Sequence, residues 1–299
     1  MDKLTQTDGR ADVALVLSSG GARGLAHIGA IEELEQRGYR IRSVSGCSMG
    51  ALVGGIYAAG RLADFRRWMQ TIDRRKILSL MDLSLSINHI VKGERVMDAL
   101  REIVPDVMIE QLGVPYVAVA TDWENGRQAV FRSGSLYDAI RASISLPLFF
   151  SPVRRDDALL IDGGVLNPIP LDLVERRPGS LLVGVNVSGP DWGGRKEVKA
   201  IATAYPNRLR SLPMTILSRL RPEGLDVNYY TLVTRMISLM IQQNARQSIR
   251  LNRPDIVMEI PMNRFGSFDY DKSEQIVAYG RARMHQALND WERQTQHEG

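Results

Sequence analysis

Short apolar runs alternate with segments of helical periodicity along much of the chain. The run "ADVALVL" stops just before a pair of glycines and predicts a buried strand. Apolar residues then recur at spacings of three from Leu25 to Leu34, which predicts a helix with one apolar face, ending near Gly38. The same strand-then-helix order repeats further on, which is typical of a parallel sheet covered by helices.

The remaining segments extend this pattern. Strands are predicted at "IRSVSG", "VPYVAVATDW", "DALLIDGG", "SLLVGVNVSG" and "DIVMEIP", with "RQAVFRSG" as a hairpin or edge strand. Helices are predicted at "SMGALVGGIYAAG", "SLYDAIRASISLP", "IPLDLVERR", "DVNYYTLVTRMISLMIQQNARQSIRLN" and "SEQIVAYGRARMHQALNDWERQ". The sequence therefore predicts an α/β fold with a mainly parallel central sheet.

One segment interrupts the alternation. Residues 191–223 are rich in glycine, proline and arginine and carry seven Lys/Arg against three Asp/Glu. We interpret them as a variable basic insertion or cap within a single α/β domain that extends over residues 10–299.

The composition excludes some classes of site but does not identify a function. Of 299 residues, 44% are hydrophobic and 24% charged, as in ordinary globular proteins. A net charge of +4 and a pI of about 9.3 indicate a mild attraction to anionic surfaces, or simply a slightly basic protein. The lone Cys47 excludes an intrachain disulfide and a multi-cysteine zinc site. No signal peptide or membrane-spanning run is present, so we expect a cytoplasmic protein.

The stretch "VSGCSMGAL" contains the pattern G-x-S-x-G, formed by Gly46, Ser48 and Gly50. A predicted strand precedes it and a predicted helix follows, which is the setting of a nucleophile elbow. Small neighbours permit the strained turn, and the helix N-terminus points its amides at a developing oxyanion. The alternative is a tight strand-to-helix turn with an incidental serine, and the pattern alone leaves both open. Cys47 is interpreted as a packing residue.

The stretch "SSGGARGLAHIG" is a glycine-rich loop between a strand and a helix. Such a loop can direct backbone N–H groups at an oxyanion or a phosphate. A dinucleotide fingerprint would need glycine where Ser19 stands, and a plain tight turn is the third alternative. Arg23 either orders this loop or meets an anionic headgroup.

A serine nucleophile also needs a base. The histidines that follow Ser48 in sequence do not adjoin a predicted strand end; they are His89, His285 and His297, while His27 lies on the first helix. Asp162 is different, because it ends a predicted buried strand immediately before Gly163 and Gly164. Ligands bind at the carboxyl ends of parallel strands, although an aspartate here also suits an ordinary Asx turn.

Taken in order, "SSGGARG", "GCSMG" and "DGG" resemble the motifs of the patatin-like phospholipase family. The block "IRASISLPLFFSPV", about fifteen residues before Asp162, also resembles a family motif. The resemblance spans at least Ala14 to Ser188 and implies a three-layer α/β/α fold. It implies hydrolysis of acyl esters in phospholipids or other lipids, without a metal or cofactor.

The resemblance also implies roles for individual residues. Ser48 would be the nucleophile, Asp162 its base, and the amides of Gly20, Gly21 and Ala22 the oxyanion hole. Arg23, Gly24, Gly46, Gly50, Gly163 and Gly164 would support the motifs. Ser19 stands where the family usually has glycine, which motivates the alternative of a catalytically silent regulatory scaffold.

Contacts with lipid are predicted more loosely. An acyl groove could be lined by Leu146, Leu148, Phe149 and Phe150, or these residues could be ordinary core. The cations of the insertion could approach an anionic membrane at its inner face; they are Arg195, Lys196, Lys199, Arg208, Arg210, Arg219 and Arg221. We expect no nucleic-acid partner.

Overall fold

The computed structural model describes residues 11–72, 94–147, 150–191 and 229–297. Its eight strands form one sheet. The strands are β1 (Asp12–Leu17), β2 (Arg40–Cys47), β3 (Tyr116–Asp122), β4 (Arg127–Phe131), β5 (Val153–Arg155), β6 (Ala158–Asp162), β7 (Leu181–Gly189) and β8 (Ile256–Pro261). Most of the insertion predicted at residues 191–223 lies outside the described residues.

The sheet is mostly parallel, as predicted. β1 pairs in parallel with β2 and β7, β2 with β3, and β7 with β8. The exceptions gather around β3, which pairs antiparallel with β4 and with β6, and β6 in turn pairs antiparallel with β5. The hairpin predicted at residues 127–134 is therefore correct.

Helices flank the sheet. They are α1 (Ala26–Gln36), α2 (Met49–Ala58), α3 (Leu62–Gln70), α4 (Glu94–Arg101), α5 (Leu136–Ser143), α6 (Tyr229–Asn252) and α7 (Ser273–His297). Short 3-10 helices occur at Gly21–Leu25, Ile109–Gln111, Gly163–Val165 and Tyr270–Lys272. In the part of the chain that the structure describes, no helix has both the length and the apolar character to cross a bilayer.

The side chains of β1 alternate between the two faces of the sheet, which explains the three layers. Val13, Leu15 and Leu17 pack in the larger core cluster with α1, α2 and α7. Ala14 and Val16 point to the opposite face and pack with Ala245 of α6 and the segment at residues 169–174. Both faces of the strand are buried, which accounts for its uninterrupted apolar run. The predicted α/β/α architecture is confirmed.

One predicted helix is wrong. Residues 169–177 form turns instead of the short helix predicted at "IPLDLVERR". Pro168 and Pro170 have no N–H to donate, and the prolines' fixed geometry favours turns closed by the amides of Leu171 and Leu173.

Candidate active site

Strands β2 and β6 end next to each other along one edge of β3. β4 pairs with residues 118–122 of β3 on one edge, so β2 and β6 both pair with the other edge. β2 ends at Cys47 opposite Val119, and β6 arrives from the opposite direction and ends at Asp162 opposite Ala120. Ser48 and Asp162 therefore become neighbours, although 114 positions separate them. The expectation that Asp162 ends a parallel strand is wrong, because β6 runs antiparallel to β3.

Ser48 lies on a strained turn. Its φ of 54° and ψ of −121° are unusual for a residue with a side chain. Its N–H donates to Ser143 Oγ at 2.8 Å, and that hydroxyl donates to the Val119 carbonyl at 2.7 Å. A Cβ on Gly50 would lie 2.1 Å from the Leu17 carbonyl oxygen, and one on Gly46 would lie 2.4 Å from the Gly50 oxygen. The tight turn therefore requires both glycines.

The Ser48 hydroxyl donates to Asp162 Oδ2 at 2.5 Å. The other carboxylate oxygen, Oδ1, accepts the Gly164 N–H at 2.7 Å. Asp162 is 2% exposed. Burial raises its pKa to about 6, although the hydrogen bonds from Ser48 and Gly164 act in the opposite direction. A Cβ on Gly163 would lie 2.3 Å from the Val119 carbonyl oxygen, so the D-G-G motif packs directly against β3.

The glycine-rich loop follows β1 at the same edge of the sheet. Gly21 has a φ of 57°, which favours glycine, and a Cβ there would lie 2.7 Å from the Ser267 carbonyl oxygen. Ser19 has no such backbone angle, so a side chain fits at its position. The Ala22 N–H already donates to the Ser267 carbonyl at 2.9 Å. Of the three predicted oxyanion amides, Gly20 and Gly21 stand at the start of a 3-10 helix, where N–H groups lack partners within the helix.

Arg23 orders this loop. It is 5% exposed, and its Nε donates to the Val187 carbonyl at 3.1 Å. Its Nη1 donates to the Phe265 carbonyl at 3.0 Å. A buried guanidinium bound to backbone carbonyls does not reach a lipid headgroup, so the second role considered for Arg23 is wrong. Gly24, beside it, packs where a Cβ would lie 2.2 Å from Met49 Cγ.

Neither histidine ring described in the structure contacts the pair. His27 is fully buried, its Nε2 donates to the Ser18 carbonyl at 2.8 Å, and burial lowers its pKa to about 4. His285 lies on α7, where its Nδ1 is 2.8 Å from Glu33 Oε1. His89 and the side chain of His297 lie outside the described residues. Cys47 is buried, and burial raises the pKa of its thiol.

The residues predicted to meet lipid are only partly described. Leu146 and Phe150 are partly exposed, and the carbonyl of Ser145, just before Leu146, accepts the Asp162 N–H at 3.0 Å. Leu148 and Phe149 lie outside the described residues. So do the seven cations of the basic insertion, Arg195, Lys196, Lys199, Arg208, Arg210, Arg219 and Arg221.

Sequence reasoning missed two supporting groups. Ser143 holds the Ser48 amide, and the Ser267 carbonyl holds the glycine-rich loop. Ser143 belongs to the "IRAS" block, so the block's position before Asp162 was a usable signal. Ser267 lies far away in the chain, in a loop after β8, and carries no local signal.

Comparison of the sequence with known proteins identifies its family. Residues 15–174 match the family model for patatin-like phospholipase. An uncharacterized NTE family protein of Mycobacterium tuberculosis is 34% identical, with 94% of this chain and 92% of that protein covered. The neuropathy target esterase sws of Drosophila melanogaster is 31% identical over 60% of this chain and 13% of its own length. VipD from Legionella pneumophila has a TM-score of 0.46 at 17% identity, covering 94% of this chain and 67% of that one. The chain therefore belongs to the patatin-like phospholipase family.

Proposed function

We propose that this protein is a serine lipid acyl hydrolase of the phospholipase A or esterase type, which acts through a Ser48–Asp162 dyad and an acyl-enzyme. The observation that carries the proposal is the 2.5 Å contact between Ser48 Oγ and Asp162 Oδ2 on a strained turn at the start of α2. A hydroxyl is a weak nucleophile unless a base takes its proton, and Asp162 is the group within reach.

Acylation follows from these positions. Ser48 Oγ attacks the carbonyl carbon of the ester while its proton passes to Asp162 Oδ2. A buried carboxylate with a raised pKa is a stronger base than an exposed one, which favours the transfer. The tetrahedral intermediate then expels the alcohol, which takes the proton from Asp162 and leaves the acyl group on Ser48.

The oxyanion of this intermediate requires hydrogen-bond donors. The amides of Gly20 and Gly21 support that role, and the N-terminal dipole of α2 adds to it. Ala22 is already committed to Ser267, so its N–H contributes by fixing the loop. Each donor of this kind typically contributes about 10²–10³ in rate.

Deacylation repeats the sequence with water. Asp162 takes a proton from a water molecule that attacks the acyl carbonyl, and the proton then returns to Ser48 Oγ as the acid leaves. The family's association with lipids supports an acyl ester of a phospholipid or another lipid as substrate. The cytoplasm, with access to the inner membrane face, is the proposed location.

A fluorophosphonate probe and p-nitrophenyl butyrate test the proposal together. Wild type should be labelled and should hydrolyse the ester, and Ser48→Ala should do neither. Ser133→Ala, which changes an exposed serine, is the matched control and should behave as wild type. Absence of labelling in folded wild-type protein would favour the silent scaffold, and labelling that survives Ser48→Ala would refute Ser48 as the nucleophile.

A lipid panel then defines the substrate. Purified wild type is incubated with phosphatidylcholine, phosphatidylglycerol, a lysophospholipid and a triacylglycerol, and released fatty acid is measured by mass spectrometry. Release from at least one lipid, absent in Ser48→Ala, is expected. Hydrolysis of p-nitrophenyl butyrate without release from any lipid would limit the function to a soluble esterase.

A further inference from the structure

Helix α6 extends beyond the edge of the sheet that holds Ser48. Gln242 donates to the carbonyl of Gly189, the last residue of β7, and Ser248 further along donates to the Ile169 carbonyl. α6 therefore runs antiparallel to β7. Residues 229–241 project past the carboxyl end of β7, over about 20 Å at roughly 1.5 Å per residue. Arg235 holds this half through an ion pair with Asp191 at 2.6 Å.

The projecting half presents an apolar stripe to solvent. Leu232, Met236, Leu239 and Met240 are 40%, 55%, 49% and 49% exposed. Their spacing places them on one side of the helix. No described side chain before Gln242 in this helix is buried, so this half contributes little to the core. Such a patch marks a surface that binds something apolar.

The stripe is connected to the proposed dyad. Asn244 Nδ2 donates to the Val165 carbonyl at 3.0 Å, in the turn that directly follows Asp162. Leu166, the next residue in that turn, is 39% exposed. Helix α6 is therefore bonded to the turn that follows Asp162, and an exposed apolar residue lies in that same turn.

The charge of α6 identifies the kind of partner. The helix contains no aspartate or glutamate, and its exposed side continues after Met240 with Arg246 and Arg250. At about 100° per residue, both arginines lie on the same side of the helix as the apolar stripe. An amphipathic helix binds a membrane by lying in the plane of the interface with its apolar face below the headgroups, and long arginine side chains reach the phosphates. This combination fits an anionic bilayer.

We infer that the exposed side of α6 is a docking surface for anionic phospholipid bilayers. Leu232, Met236, Leu239 and Met240 enter the interface, and Arg246 and Arg250 bind lipid phosphates. This inference rests on the proposed function, because a bilayer supplies the acyl-ester substrate next to Asp162. Docking brings the membrane to the helix that is bonded to the turn after Asp162, where Leu166 is exposed.

Vesicle co-sedimentation tests the surface without hydrolysis, in the full-length Ser48→Ala chain. Vesicles of 3:1 phosphatidylcholine and phosphatidylglycerol should bind this protein. The triple variant Met236→Gln/Leu239→Gln/Met240→Gln should bind about 100-fold more weakly, since each half-exposed side chain contributes about fivefold. Met108→Gln is the matched control, because Met108 is 41% exposed and lies beside Ser135, away from α6. It should bind within twofold of the parent.

Charge is tested separately. Arg246→Gln/Arg250→Gln should weaken binding to the mixed vesicles about 25-fold and leave binding to pure phosphatidylcholine unchanged, since each cation contributes about fivefold. Far-UV circular dichroism checks that each variant is folded, and Met236→Gln alone replaces the triple variant should that one not fold. An equal loss on both vesicle types would overturn the role of the arginines.

Other outcomes overturn the docking surface itself. The docking surface would be overturned if the triple variant bound vesicles with wild-type affinity. It would also be overturned if light scattering showed that wild type is a dimer and the triple variant a monomer. With Ser48 intact, the triple variant should still hydrolyse soluble p-nitrophenyl butyrate at the wild-type rate. Vesicle binding without any esterase activity in wild type would refute the proposed function and leave the docking surface standing.

Discussion

Replacing Asp162 by asparagine should stabilise the folded protein at neutral pH while removing hydrolysis. Burial raises the pKa of Asp162 to about 6, whereas the unfolded chain returns the carboxyl group to water, with a pKa near 3.8. The folded state therefore binds this proton more tightly. Its contribution to stability is fully present below pH 3.8 and is lost as pH rises through about 6. Asparagine carries no charge to bury at any pH.

The magnitude follows from the difference between the two pKa values. Each pKa unit corresponds to about 1.4 kcal/mol, so the ionised carboxylate costs about 3 kcal/mol of folding free energy at pH 8. Asparagine keeps an oxygen for the Gly164 N–H, and its amide can donate to Ser48 Oγ, but the charged hydrogen bond from Ser48 is lost. We expect a net stabilisation of about 1–3 kcal/mol, which raises Tm by roughly 2–5 °C in a chain of this size.

Urea unfolding at pH 8 and pH 4 measures this effect. The unfolding free energy of Asp162→Asn should exceed that of wild type at pH 8, and the gap should nearly close at pH 4. Asp122→Asn is the matched control. Asp122 is also 2% exposed, but hydrogen bonds from Asn125 and Arg127 hold its pKa below the usual value. Its substitution should destabilise the protein at pH 8, the opposite sign.

A lower unfolding free energy for Asp162→Asn than for wild type at pH 8 would refute this reasoning. So would a gap that does not change between the two pH values. The first result would mean that the Asp162 carboxylate stabilises the fold, and the second that the ionisation of Asp162 does not set the difference in stability.

Three further predictions concern the same site. The kcat/KM for p-nitrophenyl butyrate should rise with pH around a midpoint near 6, because Asp162 must be ionised to accept the proton; a rate that does not change between pH 4 and pH 8 would contradict its role as base. Ser143→Ala removes the hydrogen bonds that Ser143 makes with the Ser48 N–H and the Val119 carbonyl, so unfolding free energy should fall by about 2 kcal/mol and fluorophosphonate labelling should slow; unchanged labelling would limit Ser143 to stability. Ser19→Ala removes a buried hydroxyl that has no hydrogen-bond partner among the described residues, so Tm should rise and kcat should stay unchanged. A fall in kcat would show that the hydroxyl acts in catalysis.

The sequence pattern missed β5, α3 and α4. Apolar runs and their flanking glycines located the other seven described strands and five of the seven described α-helices, because burial between two helical layers imposes a simple pattern on each strand. They did not give strand direction. β6 has the composition of a buried strand whichever way it runs, and only its pairing with Ala120, Thr121 and Asp122 of β3 shows that it is antiparallel. The mistaken helix at residues 169–177 arose because its apolar spacing was weighed above Pro168 and Pro170.

The motifs predicted which residues belong to the site, but they predicted the role of each residue less well. Ser48 and Asp162 stand on turns whose glycines are visible in the sequence, so their proximity could be anticipated. The partner of the Ala22 amide could not, since Ser267 reaches it from the other end of the chain. Arg23 likewise offered two roles until its burial was known. A contact between single backbone atoms that are far apart in the chain produces no periodic pattern in the sequence, so such a pattern cannot predict it.

Because Ser48 and Asp162 both take their positions from adjacent residues of β3, the segments between them can lengthen, shorten or change composition without moving either group. The proposed chemistry is thereby independent of the parts of the chain that would select a lipid. A family built this way can diversify its substrates by altering loops alone, and hybrids that exchange such loops between members while keeping residues 116–122 should retain a working nucleophile.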